Sequence, residues 1–145
     1  MAALARSRAA LRLFGEDLRP EEITTLLGAA PTSSHRRGEQ DDRRRNARLW
    51  TIGGWVREAD DSAPADPDRQ IAQILDQLTA DPAVWQSLAA RFKIDMFCGW
   101  FMDELNEGVS LSVATLRSLA DRGILLDMDI YGWDGGSPPA EDAPD

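Results

Sequence analysis

Residues 92–101 show the clearest alternation of apolar side chains in the sequence and read Phe92-Lys93-Ile94-Asp95-Met96-Phe97-Cys98-Gly99-Trp100-Phe101. Every even-numbered position of this stretch is apolar. Because successive side chains of a strand point to opposite faces, the pattern predicts a strand whose even-numbered residues face a core, while Lys93 and Asp95 face outward. Cys98 then lies in the core, where a thiol is inert.

Three further segments have the pattern of a strand. Residues 11–15 place Leu11 and Leu13 on one face and predict the first strand. Residues 48–56 predict the second strand, in which Gly53-Gly54 marks a bulge or a close approach of two backbones. Residues 124–131 predict the last strand. In the second and last strands the side chains expected to face the core are Trp50, Ile52 and Val56, and Ile124, Leu126, Met128 and Ile130.

Four helices are predicted from the signals at their ends. Proline fits the first turn of a helix because no hydrogen-bonded N–H is needed there, and Asp or Ser can cap that turn. Glycine is typical of the position where a helix ends. The signals are Pro20 with Gly28 for the first helix, Asp66-Pro67 for the second, Asp81-Pro82 for the third, and Ser112 with Gly123 for the fourth.

The order of these elements predicts the fold class. Each end of the chain carries a strand-helix-strand unit, and a helix pair lies between the two units. We expect an α+β fold with a mostly antiparallel sheet of about four strands, in a ferredoxin-like arrangement with the helices packed on one face. One domain is expected over residues 7–131, with a flexible N-terminus at residues 1–6 and a disordered acidic tail at residues 132–145.

The composition fits one acidic globular domain. The chain has 145 residues and a net charge of −9, which disfavours binding to nucleic acid. Residues 1–48 carry 10 basic and 7 acidic side chains, whereas residues 49–145 carry 6 basic and 18 acidic ones. The second part therefore has a charge of −12, which favours a basic partner.

Metal, redox and membrane functions find no support in the composition. The sequence has 1 cysteine and 1 histidine, so we expect neither an internal disulfide nor a Cys/His zinc cluster. A reducing cytoplasm is the expected location. No apolar run approaches the roughly 20 residues of a membrane-spanning helix, and residues 1–12 lack the pattern of a signal peptide. We therefore expect a cytoplasmic protein that holds no cofactor and no metal.

A basic stretch after the first helix is a candidate ligand site. It consists of Ser34, His35, Arg36, Arg37 and Gly38, preceded by Ser33. Hydroxyls, forked guanidinium groups and a glycine amide can together hold a phosphate or carboxylate. His35 could also act as a general base, but no nucleophile can be assigned to it, so no enzyme is predicted. The simpler alternative is that the arginines pair with the nearby Glu39, Asp41 and Asp42.

A second candidate site is a contact surface on the outer side of the sheet. Trp55 and Phe97 are expected there, because they lie on the faces opposite the main apolar stripes. Asp95, Asp127 and Asp129 are expected to project from the same side. The alternatives are that the helix pair covers this side, or that the aspartates hold a hard cation. Their spacing is not that of a calcium loop, so no metal site is predicted.

The two ends of the chain resemble a known family. One matching stretch is Leu11-Arg12-Leu13-Phe14-Gly15-Glu16-Asp17-Leu18-Arg19-Pro20-Glu21-Glu22-Ile23-Thr24-Thr25-Leu26-Leu27-Gly28, followed by Pro31-Thr32 and residues 35–39. The other stretches are Val109-Ser110-Leu111-Ser112 and residues 123–131. Together they resemble the bacterial family called domain of unknown function 4279. The resemblance implies a small soluble bacterial α+β domain, and it supplies neither an activity nor catalytic residues.

These observations leave two functions open. The first is a non-enzymatic protein-binding domain with a basic partner, of which an immunity protein that neutralises a basic toxin would be one case. The second is a small-molecule anion sensor of ferredoxin-like fold, dimeric in form, with its basic loop at residues 33–38.

Overall fold

The computed structural model describes residues 2–42 and 48–133 of the chain. Helices and strands follow one another through both ranges. In chain order they are β1 (Ala2–Ala3), β2 (Arg6–Gly15), α1 (Pro20–Leu27), β3 (Ser33–His35), β4 (Gly53–Glu58), α2 (Pro67–Leu75), α3 (Pro82–Arg91), β5 (Lys93–Phe101), β6 (Glu107–Gly108), α4 (Val113–Arg122) and β7 (Leu125–Tyr131).

Five strands form one mixed sheet in the order β3-β4-β2-β5-β7, and β1 pairs with β6 in a separate two-stranded sheet. β2 is antiparallel to both β4 and β5, and β3 is antiparallel to β4. β5 and β7 are parallel. The α+β class is therefore confirmed, and the sheet is mixed because one of its ladders is parallel. It has five strands where about four were predicted, because Ser33–His35, which was expected in a loop, pairs with β4.

The two predicted strand-helix-strand units differ from each other. β5, α4 and β7 form a crossover between parallel neighbouring strands, as a βαβ unit requires. In the first unit, β2 and β4 flank α1 but pair antiparallel, so that unit is not a parallel crossover. The strand order therefore does not confirm a ferredoxin-like arrangement.

The predicted helix ends are confirmed by their capping contacts. The Asp66 carboxylate accepts a hydrogen bond from the N–H of Arg69 at the start of α2, and the Ser112 hydroxyl accepts one from Thr115 at the start of α4. Gly28 ends α1 with a φ of 91°, a left-handed conformation that glycine adopts without strain.

One face of the five-stranded sheet, here called the helix face, carries the core. Leu13 of β2 lies opposite Ile94 of β5 and Trp55 of β4, and all three side chains are at most 4% exposed. The indole N–H of Trp55 donates to the Thr24 hydroxyl of α1 at 3.1 Å. The buried side chains of all four helices belong to the same hydrophobic cluster, so the helices pack on one face as predicted.

The predicted outward position of Trp55 is wrong. Its strand begins at Gly53, and the register with β2 places Trp55 on the helix face and Val56 on the other. Gly53 allows the close approach of two backbones that was predicted, since a Cβ there would lie 2.5 Å from the carbonyl oxygen of Leu18. The alternation of apolar residues predicted the wrong inner face, because Trp55 is the one large apolar side chain that β4 places in the core.

Trp50 and Ile52 do not face the core either. Both precede β4, and Ile52 is 36% exposed. The ring of Trp50 stacks on His35, with 3.5 Å between ring centroids. These two residues belong to the connection that follows β3.

The predicted burial of β7 is also wrong in its second half. Ile124, directly before the strand, is buried, and Leu126 is half-buried. Met128 and Ile130, which lie on the helix face, are 46% and 57% exposed. β7 is an edge strand, so it has a neighbouring strand on the β5 side only. The core therefore covers its first residues, and the later side chains remain at the surface.

The N-terminus differs from the prediction. Ala2–Ala3 pairs with Glu107–Gly108, and Leu4 is only 4% exposed, so residues 2–6 pack against the domain although a flexible N-terminus was predicted. The predicted tail from residue 134 onward and residues 43–47 of the arginine-rich stretch lie outside the described residues.

Candidate binding face

The face of the sheet opposite the helices, here called the outer face, carries a dense set of charged and aromatic side chains. β2 and β5 contribute alternate residues, because their register places Arg12 opposite Asp95 and Ala10 opposite Phe97. β7 adds Asp127 next to Phe97 in the parallel ladder. The helix pair packs on the helix face, so the alternative that it covers the outer face is wrong.

Asp95 and Arg12 form a bidentate ion pair across β2 and β5. Nε of Arg12 donates to Oδ1 of Asp95 and Nη2 donates to Oδ2, both at 2.8 Å. The hydrogen bond to Asp95 raises the pKa of Arg12. Asp95 projects from the outer face as predicted, but its side chain is only 1% exposed. It is therefore unavailable to a partner, because the guanidinium group covers it.

Arginine side chains lie over the phenylalanine rings of this face. The guanidinium carbon of Arg12 is 4.3 Å from the ring centroid of Phe97, and that of Arg6 is 4.2 Å from Phe101. The ring of Phe101 stacks on Tyr131, with centroids 4.7 Å apart and planes 2° apart. These contacts hold flat rings in fixed positions without burying them in the core.

A groove of about 290 Å³ runs across the outer face. Gly99 carries no side chain and lies between Phe97 and Phe101 on this face of β5, so it leaves space for the groove between the two rings. Tyr131 forms one wall of the groove. The residues that line it are Arg8, Ala9, Ala10, Glu58, Ala59, Asp61, Phe97, Gly99, Phe101 and Tyr131. Asp61 is held at the rim by Arg8, with 3.0 Å between Nε and Oδ2.

Asp127 and Asp129 are the predicted partner-binding aspartates that remain accessible. The side chain of Asp127 is 44% exposed and lies 3.9 Å from Nη2 of Arg12. Asp129 is exposed and accepts a hydrogen bond from the hydroxyl of Tyr131 at 2.7 Å, which raises the pKa of Tyr131. Within residues 2–42 and 48–133, no cluster of three or more His, Cys, Asp or Glu side chains could hold a metal ion.

The structure separates the predicted ligand-binding stretch into two parts. Arg36 and Arg37 line a cavity of about 410 Å³ with Arg19 and Arg91. Ser34, His35 and Gly38 do not line it. His35 instead stacks on Trp50, and the amide of Gly38 donates to the Trp50 carbonyl.

The arginines of this cavity pair with carboxylates from α1 and the turn before it. Arg36 bonds to Glu21, and Nη1 of Arg37 lies 3.9 Å from Glu16. These partners differ from the predicted ones, which were Glu39, Asp41 and Asp42. Three carboxylates also line the cavity, which are Glu16, Asp17 and Glu22.

Arg19 and Arg91 are cavity residues that sequence reasoning missed. Arg91 ends α3 and forms an ion pair with Glu22 of α1, with 2.8 Å between Nη2 and Oε1. This hydrogen bond lowers the pKa of Glu22. No local sequence pattern predicts that α1 and α3 lie next to each other, because their contact depends on how both helices pack on the sheet.

Cys98 lies in the core as predicted. It is 0% exposed, and burial raises the pKa of its thiol to about 12. A thiol with such a pKa stays protonated at neutral pH, where it is a poor nucleophile. In the part of the chain that the structure describes, no helix has the length and apolar character needed to cross a membrane.

Comparison with known proteins gives a family and no function. Searches of curated proteins and of solved structures find no match. The family model described as "Domain of unknown function (DUF4279)" matches residues 5–133. This match covers nearly all of the chain and includes every stretch that resembles the family. The chain belongs to the DUF4279 family.

Proposed function

We propose that this chain is a non-enzymatic protein-binding domain that docks a basic partner on its outer face. The observation that carries the proposal is the aromatic groove, which lies on a sheet face that the helices leave open. Fixed aromatic rings are effective anchors in protein interfaces because they bury a large area with little loss of conformational freedom. The outer face offers such rings at Phe97, Phe101 and Tyr131.

The charge around the groove supports a basic partner. Glu58 and Asp61 line it together with Arg8, and Asp127 and Asp129 lie beside it on β7. Among the described residues, these carboxylates outnumber the arginines of the face, which are Arg6, Arg8 and Arg12. The whole chain carries a net charge of −9, so its long-range field attracts cations. Such complementarity chiefly speeds association and selects the sign of the partner. A domain that neutralises a basic toxin in the cytoplasm would be one case of this function.

The experiment compares the wild-type chain with two matched variants in affinity capture. Tyr131→Ser removes an aromatic ring of the groove that is 47% exposed. Leu49→Ser removes a side chain that is 62% exposed, in the connection after β3 and away from the groove. Each variant is first checked for native thermal unfolding. Capture is then carried out at about 50 mM and about 500 mM salt, because screening weakens charge attraction.

The proposal expects capture of a basic protein that depends on salt and on the groove. Binding should fall with added salt, and Tyr131→Ser should lose it while Leu49→Ser keeps it. A captured protein that binds Tyr131→Ser and wild type equally would contradict docking on the outer face. A captured protein that is acidic would contradict the proposed partner.

A second candidate function is anion binding in the arginine-lined cavity. The observation in its favour is that four arginines, which are Arg19, Arg36, Arg37 and Arg91, converge on one space of about 410 Å³. The three carboxylates that share this space make it the weaker candidate. Thermal unfolding with inorganic phosphate, sulfate or citrate tests it, since a ligand that binds only the folded state raises the melting temperature. A rise that Arg37→Gln abolishes would support the anion sensor, and no rise would remove it.

A further inference from the structure

β7 forms one edge of the five-stranded sheet and differs sharply from the edge on the other side. It has seven residues, whereas the opposite edge strand β3 has three. Four of its side chains are large, apolar or aromatic, and about half exposed, and these are Leu125 (55%), Met128 (46%), Ile130 (57%) and Tyr131 (47%). Native proteins commonly shorten, cover or charge such an edge, because its free peptide groups are a template for another strand.

The direction of the peptide groups shows which residues present this template. The carbonyl of Tyr131 accepts a hydrogen bond from the N–H of Met102, so the peptide groups of Tyr131 point toward β5. Peptide groups alternate in direction along a strand, so those of Met128 and Ile130 point away from β5. In the described part of the chain, no strand lies beyond β7 in the sheet.

The side chains of β7 alternate in charge as well as in direction. Asp127 and Asp129 lie on the outer face, whereas Met128 and Ile130 lie on the helix face. Side chains directly opposite each other on neighbouring strands interact, and opposite charges there are favourable. The complementary strand therefore has basic side chains on the outer face and apolar side chains on the helix face.

A second copy of this chain is a poor occupant of the edge. An antiparallel pairing of two β7 strands about Met128 places Asp127 opposite Asp129 of the other copy, twice. Moving one strand by two residues keeps the same side chains on each face, and it places Asp127 or Asp129 opposite the same residue of the other copy. Like charges directly opposite are destabilising, and the registers that match the faces and pair the most residues of β7 all bring carboxylates together.

We propose that a basic partner adds an extended segment to β7, with alternating basic and apolar residues, and so continues the sheet beside the aromatic groove. The inference rests on the proposed protein-binding function and names the way in which the partner binds. Main-chain hydrogen bonds to the β7 edge supply affinity, and the alternation of Asp127 and Asp129 with Met128 and Ile130 supplies selectivity.

The test uses a blocked, fluorescein-labelled peptide with the seven-residue length of β7 and the alternating sequence Lys-Val-Lys-Val-Lys-Val-Lys. Two controls keep its length: one has glutamate in place of lysine, and the other has the same composition with all lysines before all valines. Fluorescence polarisation measures affinity. Amide hydrogen exchange of the full chain then reports whether the N–H groups of Met128 and Ile130 become protected.

Three variants of β7 separate strand addition from attraction to charge. Met128→Pro removes an N–H that faces the free edge and leaves the β5 ladder intact, which an edge strand tolerates. Met128→Val keeps that N–H and an apolar side chain. Asp127→Asn with Asp129→Asn removes the two carboxylates. Each variant is used only if its circular dichroism and thermal unfolding remain native.

The proposal predicts binding of the alternating lysine peptide that weakens with salt and protects the Met128 and Ile130 amides. Met128→Pro should weaken it about tenfold, which corresponds to the loss of one main-chain hydrogen bond, while Met128→Val should have little effect. The double aspartate variant should also weaken it, and the glutamate peptide should not bind.

Several results would overturn the proposal. They are equal binding of both lysine peptides, equal binding by Met128→Pro and wild type, unchanged exchange of the Met128 and Ile130 amides, or a dimer in sedimentation that Met128→Pro dissociates. The two proposals can fail separately. A captured basic partner that requires Tyr131 but is indifferent to Met128→Pro would retain the outer face as the docking surface and remove strand addition.

Discussion

Replacing Arg12 by methionine should strongly destabilise the fold, because it removes the cation that hydrogen-bonds to both oxygens of the buried Asp95 carboxylate. Asp95 is 1% exposed, and both of its oxygens accept from Arg12 at 2.8 Å. Breaking one partner of a buried pair commonly costs about 3 to 5 kcal/mol, since the remaining charge is uncompensated. Loss of the contact between Arg12 and Phe97 adds about 0.5 to 1 kcal/mol.

Replacing Asp95 instead of Arg12 should cost less stability. In Asp95→Leu the remaining charge is that of Arg12, whose side chain is 27% exposed and can turn toward water. The double variant Arg12→Met with Asp95→Leu places two apolar side chains where the pair was, and it should lie within about 1 to 2 kcal/mol of wild type. Because Arg12→Met alone should cost at least about 1.5 kcal/mol more than the double variant, a double-mutant cycle should give a coupling free energy of about 1.5 kcal/mol or more.

Urea unfolding followed by tryptophan fluorescence measures all four members of the cycle, since Trp55 and Trp85 are fully buried. Arg12→Met should have the lowest urea midpoint, and the second substitution should restore most of the loss. If Arg12→Met costs under about 1 kcal/mol, the pair behaves as an exposed salt bridge. The argument that Arg12 covers Asp95 on the outer face would then be refuted.

Three further predictions concern the effect of single residues on stability. Gly53→Ala should lower the free energy of unfolding by about 1 to 3 kcal/mol, because its Cβ would meet the Leu18 carbonyl, and an unchanged urea midpoint would count against that close approach. Ser112→Ala should cost about 1 kcal/mol because the N–H of Thr115 loses its acceptor, whereas Ser112→Asn should retain most of the stability. Burial raises the pKa of Cys98 from 9.0 to about 12, so the folded state keeps a proton that the unfolded state releases. Cys98 should therefore lower stability by up to about 1.4 kcal/mol per pH unit as pH rises from 9 toward 12, and Cys98→Ala should remove this contribution.

The sequence identified the elements whose signals are local. The alternation around Met96 and the capping residues Asp66 and Ser112 depend only on near neighbours, and the structure confirms them. Strand order could not be predicted in this way, because no residue pattern within β2 or β4 indicates that the two strands pair antiparallel. The inward side of β4 was missed for a related reason: its register with β2, and not its own apolar count, places Trp55 in the core.

The candidate sites were predictable only in part. The arginines at positions 36 and 37 do line a cavity, but its other cations, Arg19 and Arg91, come from the ends of two different helices. Asp95 was expected on the outer face and lies there, yet its burial follows from the cross-strand position of Arg12, which depends on the sheet register. Exposure thus depends on contacts distant in sequence, even where the face itself follows from alternation.

Chemical-shift mapping tests the central claim most directly. The chain would be labelled with nitrogen-15, and its amide spectrum recorded during titration with the captured basic partner. The account predicts that the largest shifts occur in residues 97–101 and 125–131, which form the groove and its neighbouring edge strand. Shifts concentrated in α2, α3 or the basic stretch at residues 36–38 would contradict it, because those segments lie away from the outer face.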